Sequence, residues 1–128
     1  MKISQKQIEA IIALSGPIRY KHFIKTIADR EEVWGLFNDG WALATTDDNE
    51  RVFPLWPAIE YAQLCAANEW ADYKPVSFSL TSFMDELLPN LKNDGVLAGI
   101  FFTPQSKGVT QTVDQLLEDI NIELEKYY

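Results

Sequence analysis

Few side chains here are equipped for chemistry. The chain has one histidine, His22, and one cysteine, Cys65. A nucleophilic thiol–imidazole pair needs the two in contact. Helical periodicity sets Cys65 on the inward side of an apolar helix, where it acts as a small hydrophobe, and His22 on the exposed face of another. Carboxylates are plentiful, but their spacing is plain. Asp47, Asp48 and Glu50 share a polar turn without the glycine or ligand order of a calcium loop. Glu31-Glu32 and Asp85-Glu86 are sequence neighbours on different sides of a helix or its end, which does not make an acid–base pair. Gly95-Val96-Leu97-Ala98-Gly99 precedes a strand and lacks the spacing of a dinucleotide fingerprint, and there is no Gly-x-Ser-x-Gly elbow. The reading leans away from an enzyme, with no catalytic residue, metal or cofactor assigned.

Aromatic residues are the other candidates. Three of the four tryptophans, Trp34, Trp41 and Trp56, fall in one short block. Trp and Tyr anchor binding surfaces, so Trp34, Trp41, Trp56, Glu60, Trp70 and Tyr73 form the candidate binding surface or pocket. Core packing is the competing use of such large side chains. Trp70 is the best exception, because it follows a helix end beside Asn68, Glu69 and Asp72.

The elements that must position these residues can be read off the chain. Ser4 and Gln7 make a capping box, with Ile3 and Ile8 at the staple positions. Gly16-Pro17 ends that helix and opens a second, which runs to about Arg30. Its stripe is Tyr20, Phe23, Ile24, Ile27 and Ala28, with Lys21, His22 and Lys25 opposite. Three short strands follow. Phe37-Asn38-Asp39-Gly40 suits a three-residue hairpin loop with a left-handed glycine, placing Phe37 opposite Trp41; a two-residue Asp39-Gly40 loop would exchange the faces. The third strand, Arg51 to Leu55, meets Trp56 at a corner, and Pro54 belongs at an edge or a strand end. Pro57 opens an apolar helix to about Asn68. Val76–Leu80 alternates as a strand, Thr81 caps the next helix, and Pro89 kinks or breaks it. Val96 to Phe102 reads as a strand covered on both faces, and Thr103 to Thr110 as a loop. Thr112 with Gln115 caps the last helix, whose stripe is Val113, Leu116, Leu117, Ile120, Leu124 and Tyr127, leaving Ile122 outside. The fold class is α+β: a mixed sheet of about five strands, an antiparallel three-strand meander followed by βαβαβ-type crossovers. About five helices pack on it, two of them N-terminal.

With 128 residues, one domain over 1–128 is expected. Such a chain buries roughly two thirds of its unfolded surface and needs no disulfide to hold a core. No apolar run reaches the ~20 residues of a membrane span, and the opening residues turn polar at once, without a signal-peptide core. The expected place is the cytoplasm, away from membranes. The net charge of -8 repels phosphate backbones, so nucleic acid is excluded as a partner. Up to Arg30 the chain carries Lys2, Lys6, Arg19, Lys21, Lys25 and Arg30 against Glu9 and Asp29, six minus two or +4. The remainder, with 5 basic and 17 acidic residues, is -12. That asymmetry marks either solvated helix faces or an interaction surface.

Val33-Trp34, Gly40-Trp41, the Pro54-to-Pro57 element, Trp70, Pro75, Leu88-Pro89 and the Val96-to-Phe102 run together resemble the small bacterial proteins catalogued as domain of unknown function 2750. The similarity spans nearly the whole chain. It implies a bacterial, cytoplasmic, single-domain protein and carries over no activity, cofactor or catalytic residue. The expected function is a non-catalytic interaction or regulatory module, immunity- or accessory-like, binding a basic protein partner. The alternatives are a small-molecule-binding protein or enzyme with a Trp-lined pocket, and a homo-oligomer joined through Ile122 and the acidic last helix.

Overall fold

The computed structural model describes residues 3–127, so Lys2 of the basic segment lies outside the described residues. Helix α1 (Gln5–Ile12) starts as expected: the Ser4 hydroxyl accepts the Gln7 amide and the Gln7 side chain accepts the Ser4 amide, both at 3.2 Å. Helix α2 (Gly16–Arg30) buries Tyr20, Phe23, Ile24, Ile27 and Ala28, the stripe its spacing defines. It ends where Glu31 turns left-handed at φ 59.

Strand β1 (Glu32–Phe37) leads into the three-residue hairpin, with Phe37 bridged to Trp41 and the Ala42 amide donating to the Leu36 carbonyl at 2.8 Å. Asp39, not the glycine, takes the left-handed conformation (φ 55), while Gly40 sits at φ 150. Gly35 is small because a Cβ there would come within 3.2 Å of the Trp41 ring.

The α+β class, with antiparallel and parallel pairing, holds, but the connectivity within it differs from the expectation. The meander is not continuous. After the turn the chain peels away, and β2 (Ala44–Thr45) pairs antiparallel with β3 (Arg51–Leu55). The long partner of β1 is β4 (Lys74–Ser79), antiparallel, with Val33 facing Phe78. Only β5 (Leu97–Ile100) runs parallel to β3, so a single parallel pair replaces the expected crossover series. A further strand, β6 (Val109–Gln111), lies antiparallel to β5 in the segment expected to be loop. The result is two sheets, β1–β4 and β2–β3–β5–β6. They are joined where Trp34 and Trp56 exchange two backbone hydrogen bonds of 2.9 Å.

Pro54 fits this arrangement in an unexpected way. It lies inside β3, which has neighbours on both edges. Strand alternation turns its nitrogen to the same edge as Val52, which faces Ala44, and Trp56, which faces Trp34. Between those two contacts the edge changes partner from β2 to β1, and the proline occupies the gap where no donor is needed.

Helix α3 (Ile59–Cys65) begins two residues later than expected. Ala58 is the N-cap, and Pro57 precedes it rather than opening the helix. The helix also stops short of Asn68, which enters a 3₁₀ turn (Asn68–Trp70) at φ 54. Ser79, not Thr81, caps the next helix, accepting the Ser82 amide at 3.1 Å. That helix runs as α4 (Leu80–Ser82), a π-helical turn (Phe83–Leu87) and α5 (Leu88–Asn93). The disruption expected at Pro89 takes the form of this π turn, in which the Leu88 amide reaches back five residues to the Phe83 carbonyl. Helix α6 (Val113–Leu124) is capped by Thr112, but Gln111 rather than Gln115 accepts the Thr112 amide. Helices α2 and α6 pack together beside β5 and β6, and α3 lies against β1 and β4. Phe23, Ile27, Trp56, Phe83, Ile100 and Leu116 are fully buried between them.

Candidate functional site

The corner after β3 places Trp56 at the centre of the core, with 0% of its surface exposed. Its indole N–H donates to the Phe102 carbonyl at 2.9 Å, and the Cys65 thiol donates to the same oxygen at 3.3 Å. Burial pushes the thiol up to about 11, against the smaller opposing effects of Trp56 and Arg19. At neutral pH Cys65 is therefore a protonated donor to a carbonyl, not a nucleophile. Trp70 stands edge-on to Trp56, ring centroids 6.3 Å apart, and is also buried.

Beyond Trp70 opens a cleft of about 550 Å³, between the end of α3 and the Thr103–Lys107 loop. Leu64, Trp70 and Phe102 form its apolar wall, and Asn68, Glu69 and Lys107 its polar rim. Arg19 holds that loop from behind. Only 4% of it is exposed, and it donates to the carbonyls of Phe101 (3.2 Å), Leu14 (2.5 Å) and Lys107 (3.4 Å) and to the Ser106 hydroxyl (3.0 Å). Among the described residues no carboxylate pairs with it. Desolvation lowers its pKa, with the Cys65 thiol acting in the opposite sense. In the sequence Arg19 stands only as one of the six basic residues up to Arg30. Its one signal was the four-residue step to Phe23.

The six candidate residues do not converge. Trp70 lines the cleft, and Trp56 lies behind it. Trp34 joins Trp56 through the backbone, but its indole N–H turns to Glu32 at 3.2 Å. Trp41 belongs to a separate cluster, 4.9 Å from Phe37, 5.7 Å from Phe53 and 4.6 Å from Phe78 between ring centroids. Tyr73 is half-buried after the 3₁₀ turn, its amide donating to the Trp70 carbonyl. Glu60 accepts the Ile3 amide at 3.3 Å through one oxygen, and its other oxygen is buried with no hydrogen-bond partner.

His22 is not on an open helix face. It is half-buried, edge-on to Tyr61 at 6.5 Å and tilted against Phe101 at 6.1 Å. Desolvation lowers its pKa, with Arg30 adding in the same direction. The reason is packing: α3 covers the flank of α2 that carries His22. Beside it lies a hollow of about 520 Å³, walled by α1, α2 and Tyr61. On the opposite flank of α2, a groove of about 470 Å³ separates it from α6. The groove is mostly apolar, with Tyr20, Ile24, Val109 and Ile122 along it. The Tyr20 hydroxyl donates to Asp119 across it at 2.5 Å; burial first, and this carboxylate second, raise the phenol's pKa. The Asp47-to-Glu50 turn is closed by Thr46, whose hydroxyl accepts the Asp48 and Glu50 amides. No group of three His, Cys, Asp or Glu among the described residues could hold a metal ion. No helix there is long and apolar enough to cross a membrane.

Fold and surface together define a small α+β protein in which helices pack on two joined sheets, one antiparallel and one mixed, with open concavities on the surface of the described residues. The family model described as "Protein of unknown function (DUF2750)" matches residues 20–120, and the chain belongs to that family. No curated protein and no solved structure matches the chain.

Proposed function

We propose that the chain is a non-catalytic interaction module of the bacterial cytoplasm. It docks on another protein through the outer face of α6 and the groove beside it. The observation that carries this is Ile122, 51% exposed on an acidic helix and lining a mostly apolar groove. An isolated surface isoleucine is ordinary; one beside an apolar groove has the form of an interface anchor. Glu118 and Glu125, exposed on and just beyond α6, favour basic groups of a partner over that helix, while Lys21, Lys25 and Lys126 at the groove meet acidic groups at the partner's edge. The protonated, buried state of Cys65 and the aromatic packing of His22 support a role without covalent chemistry. A photo-crosslinking residue placed at position 122 in host cells tests the proposal, with position 74 on β4 as control. The expected result is an adduct with a basic protein at 122, absent at 74. An adduct with a second copy would make the chain a homo-oligomer, and equal labelling at both positions would refute the docking face.

The cleft beside Trp70 supports a second reading, a small-molecule-binding protein. Its size, about 550 Å³, and its mixed apolar and polar walls suit a small ligand.

A further inference from the structure

The flank of α2 that faces away from α6 carries groups which the docking reading does not use. His22, Thr26 and Arg30 recur at four-residue steps and line one hollow with Gln7 and Ile11 of α1 and Tyr61 of α3. Tyr61 is only 2% exposed, yet its hydroxyl makes no hydrogen bond to any described residue. Arg30 makes no ion pair among the described residues. Three donors of different kinds, a guanidinium, a phenol and an imidazole, thus line one space in which Asp29 is the one side-chain carboxylate among the lining residues, while Ile3 and Ile11 supply an apolar wall.

We infer that this hollow binds a small molecule bearing a carboxylate or phosphate, with the oxyanion held by Arg30 and the Tyr61 hydroxyl and the apolar part against α1. Arginine's planar fork matches an oxyanion in two parallel hydrogen bonds. The charged groups around the hollow are Lys25, Asp29 and Arg30 from α2 and Glu60 from α3. Lys25 stands on the ridge between the hollow and the groove and lines both. Asp29 is exposed at the rim, and the Glu60 oxygen nearest α1 is already occupied by the Ile3 amide. The oxyanion therefore sits toward Arg30, whose charge also reaches the Tyr61 phenol, with Glu60 opposing it from the other side of that phenol.

His22 is the chain's only histidine and reports on the site without ambiguity. Its ring resonances are followed by NMR while sodium phosphate or succinate is added at fixed ionic strength and pH, with chloride as control. The expected result is a saturable shift with at least one oxyanion and not with chloride. An anion at Arg30 also offsets that residue's effect on the imidazole, so the His22 pKa rises. Phosphate and succinate distinguish the two ligand classes. Arg30→Met removes the shift, and Tyr61→Phe, which keeps the ring and the core, weakens the apparent affinity several-fold. A linear, non-saturating response to every anion, or a saturable one unchanged in both variants, overturns the inference. Neither outcome touches the α6 docking face, whose crosslinking test is separate.

Discussion

The Phe102 carbonyl accepts two donors at the inner wall of the cleft, which makes the pair Trp56 and Cys65 a test of how this core is held. Trp56→Phe removes the 2.9 Å bond and part of a fully buried ring. The hydrogen bond contributes about 0.5–1.5 kcal/mol net, and the void adds on the order of 1–2 kcal/mol. The expected loss is then roughly 2–3 kcal/mol. Cys65→Ala removes a weak donor and one buried heavy atom, for about 1 kcal/mol. In each single variant the carbonyl keeps one partner. In the double variant it has none, and an orphaned buried acceptor costs about 1–3 kcal/mol. The double variant therefore loses more than the sum of the singles, by at least ~1 kcal/mol. Equilibrium urea unfolding of the four proteins measures this, provided the denaturant slopes agree. Additivity within ~0.5 kcal/mol would refute the reasoning, as it would mean that water enters the space left by the indole and replaces the missing donor.

Two further outcomes follow from the same region. A Cβ at Gly108 would lie 2.0 Å from the Ile100 carbonyl oxygen. Gly108→Ala must then separate β5 from the loop before β6, and its cost in urea unfolding should reach or exceed the ~3 kcal/mol that bounds most point substitutions. The Cys65 thiol is raised from 9.0 to about 11 in the folded chain. Folding favours the protonated form, so its contribution is complete below pH 9 and falls as pH rises from there to about 11. Two units correspond to roughly 2–3 kcal/mol. Tyr20 and Tyr61 are raised too and weaken the fold in the same direction. The quantity to measure is accordingly the difference between wild type and Cys65→Ala, which should shrink and then change sign across that interval; a parallel pair of stability curves would count against the assignment.

What the sequence made legible was local. The stripe of α2, the Ser4 cap and the disturbance at Pro89 each depend on residues within a few positions of one another, where side-chain spacing and backbone chemistry decide; the hairpin register, open between two loop lengths in the sequence, is fixed by the Phe37–Trp41 pairing. The misses were non-local. Nothing within Val33–Phe37 or Val76–Leu80 says that they pair with each other across some forty residues of intervening chain. Val109–Thr110–Gln111 is too short and too polar to announce a strand; β5 makes it one. Arg19 is buried because four neutral acceptors, one from nearby Leu14 and three from the distant Phe101–Lys107 stretch, meet its guanidinium. The candidate site shows the same limit. Composition picked out the tryptophans, but their large apolar surfaces went mainly to the core, while the open donors at His22, Arg30 and Tyr61 depend on how α1, α2 and α3 meet.

Arg19 also bears on when the chain can fold as it is made. Its partners Phe101, Ser106 and Lys107 lie 82 to 88 residues further on. The neighbours of α2 include β6 and α6, the last two elements. Synthesis proceeds from the N-terminus at roughly 5–20 residues per second, so the second helix exists for seconds before anything late in the chain can cover it. Its apolar stripe and its arginine must wait until β6 and α6 have left the ribosome. A translation stop or a truncation anywhere before Val109 therefore releases a product with that stripe exposed, which makes the nascent chain a ready substrate for chaperones and proteases.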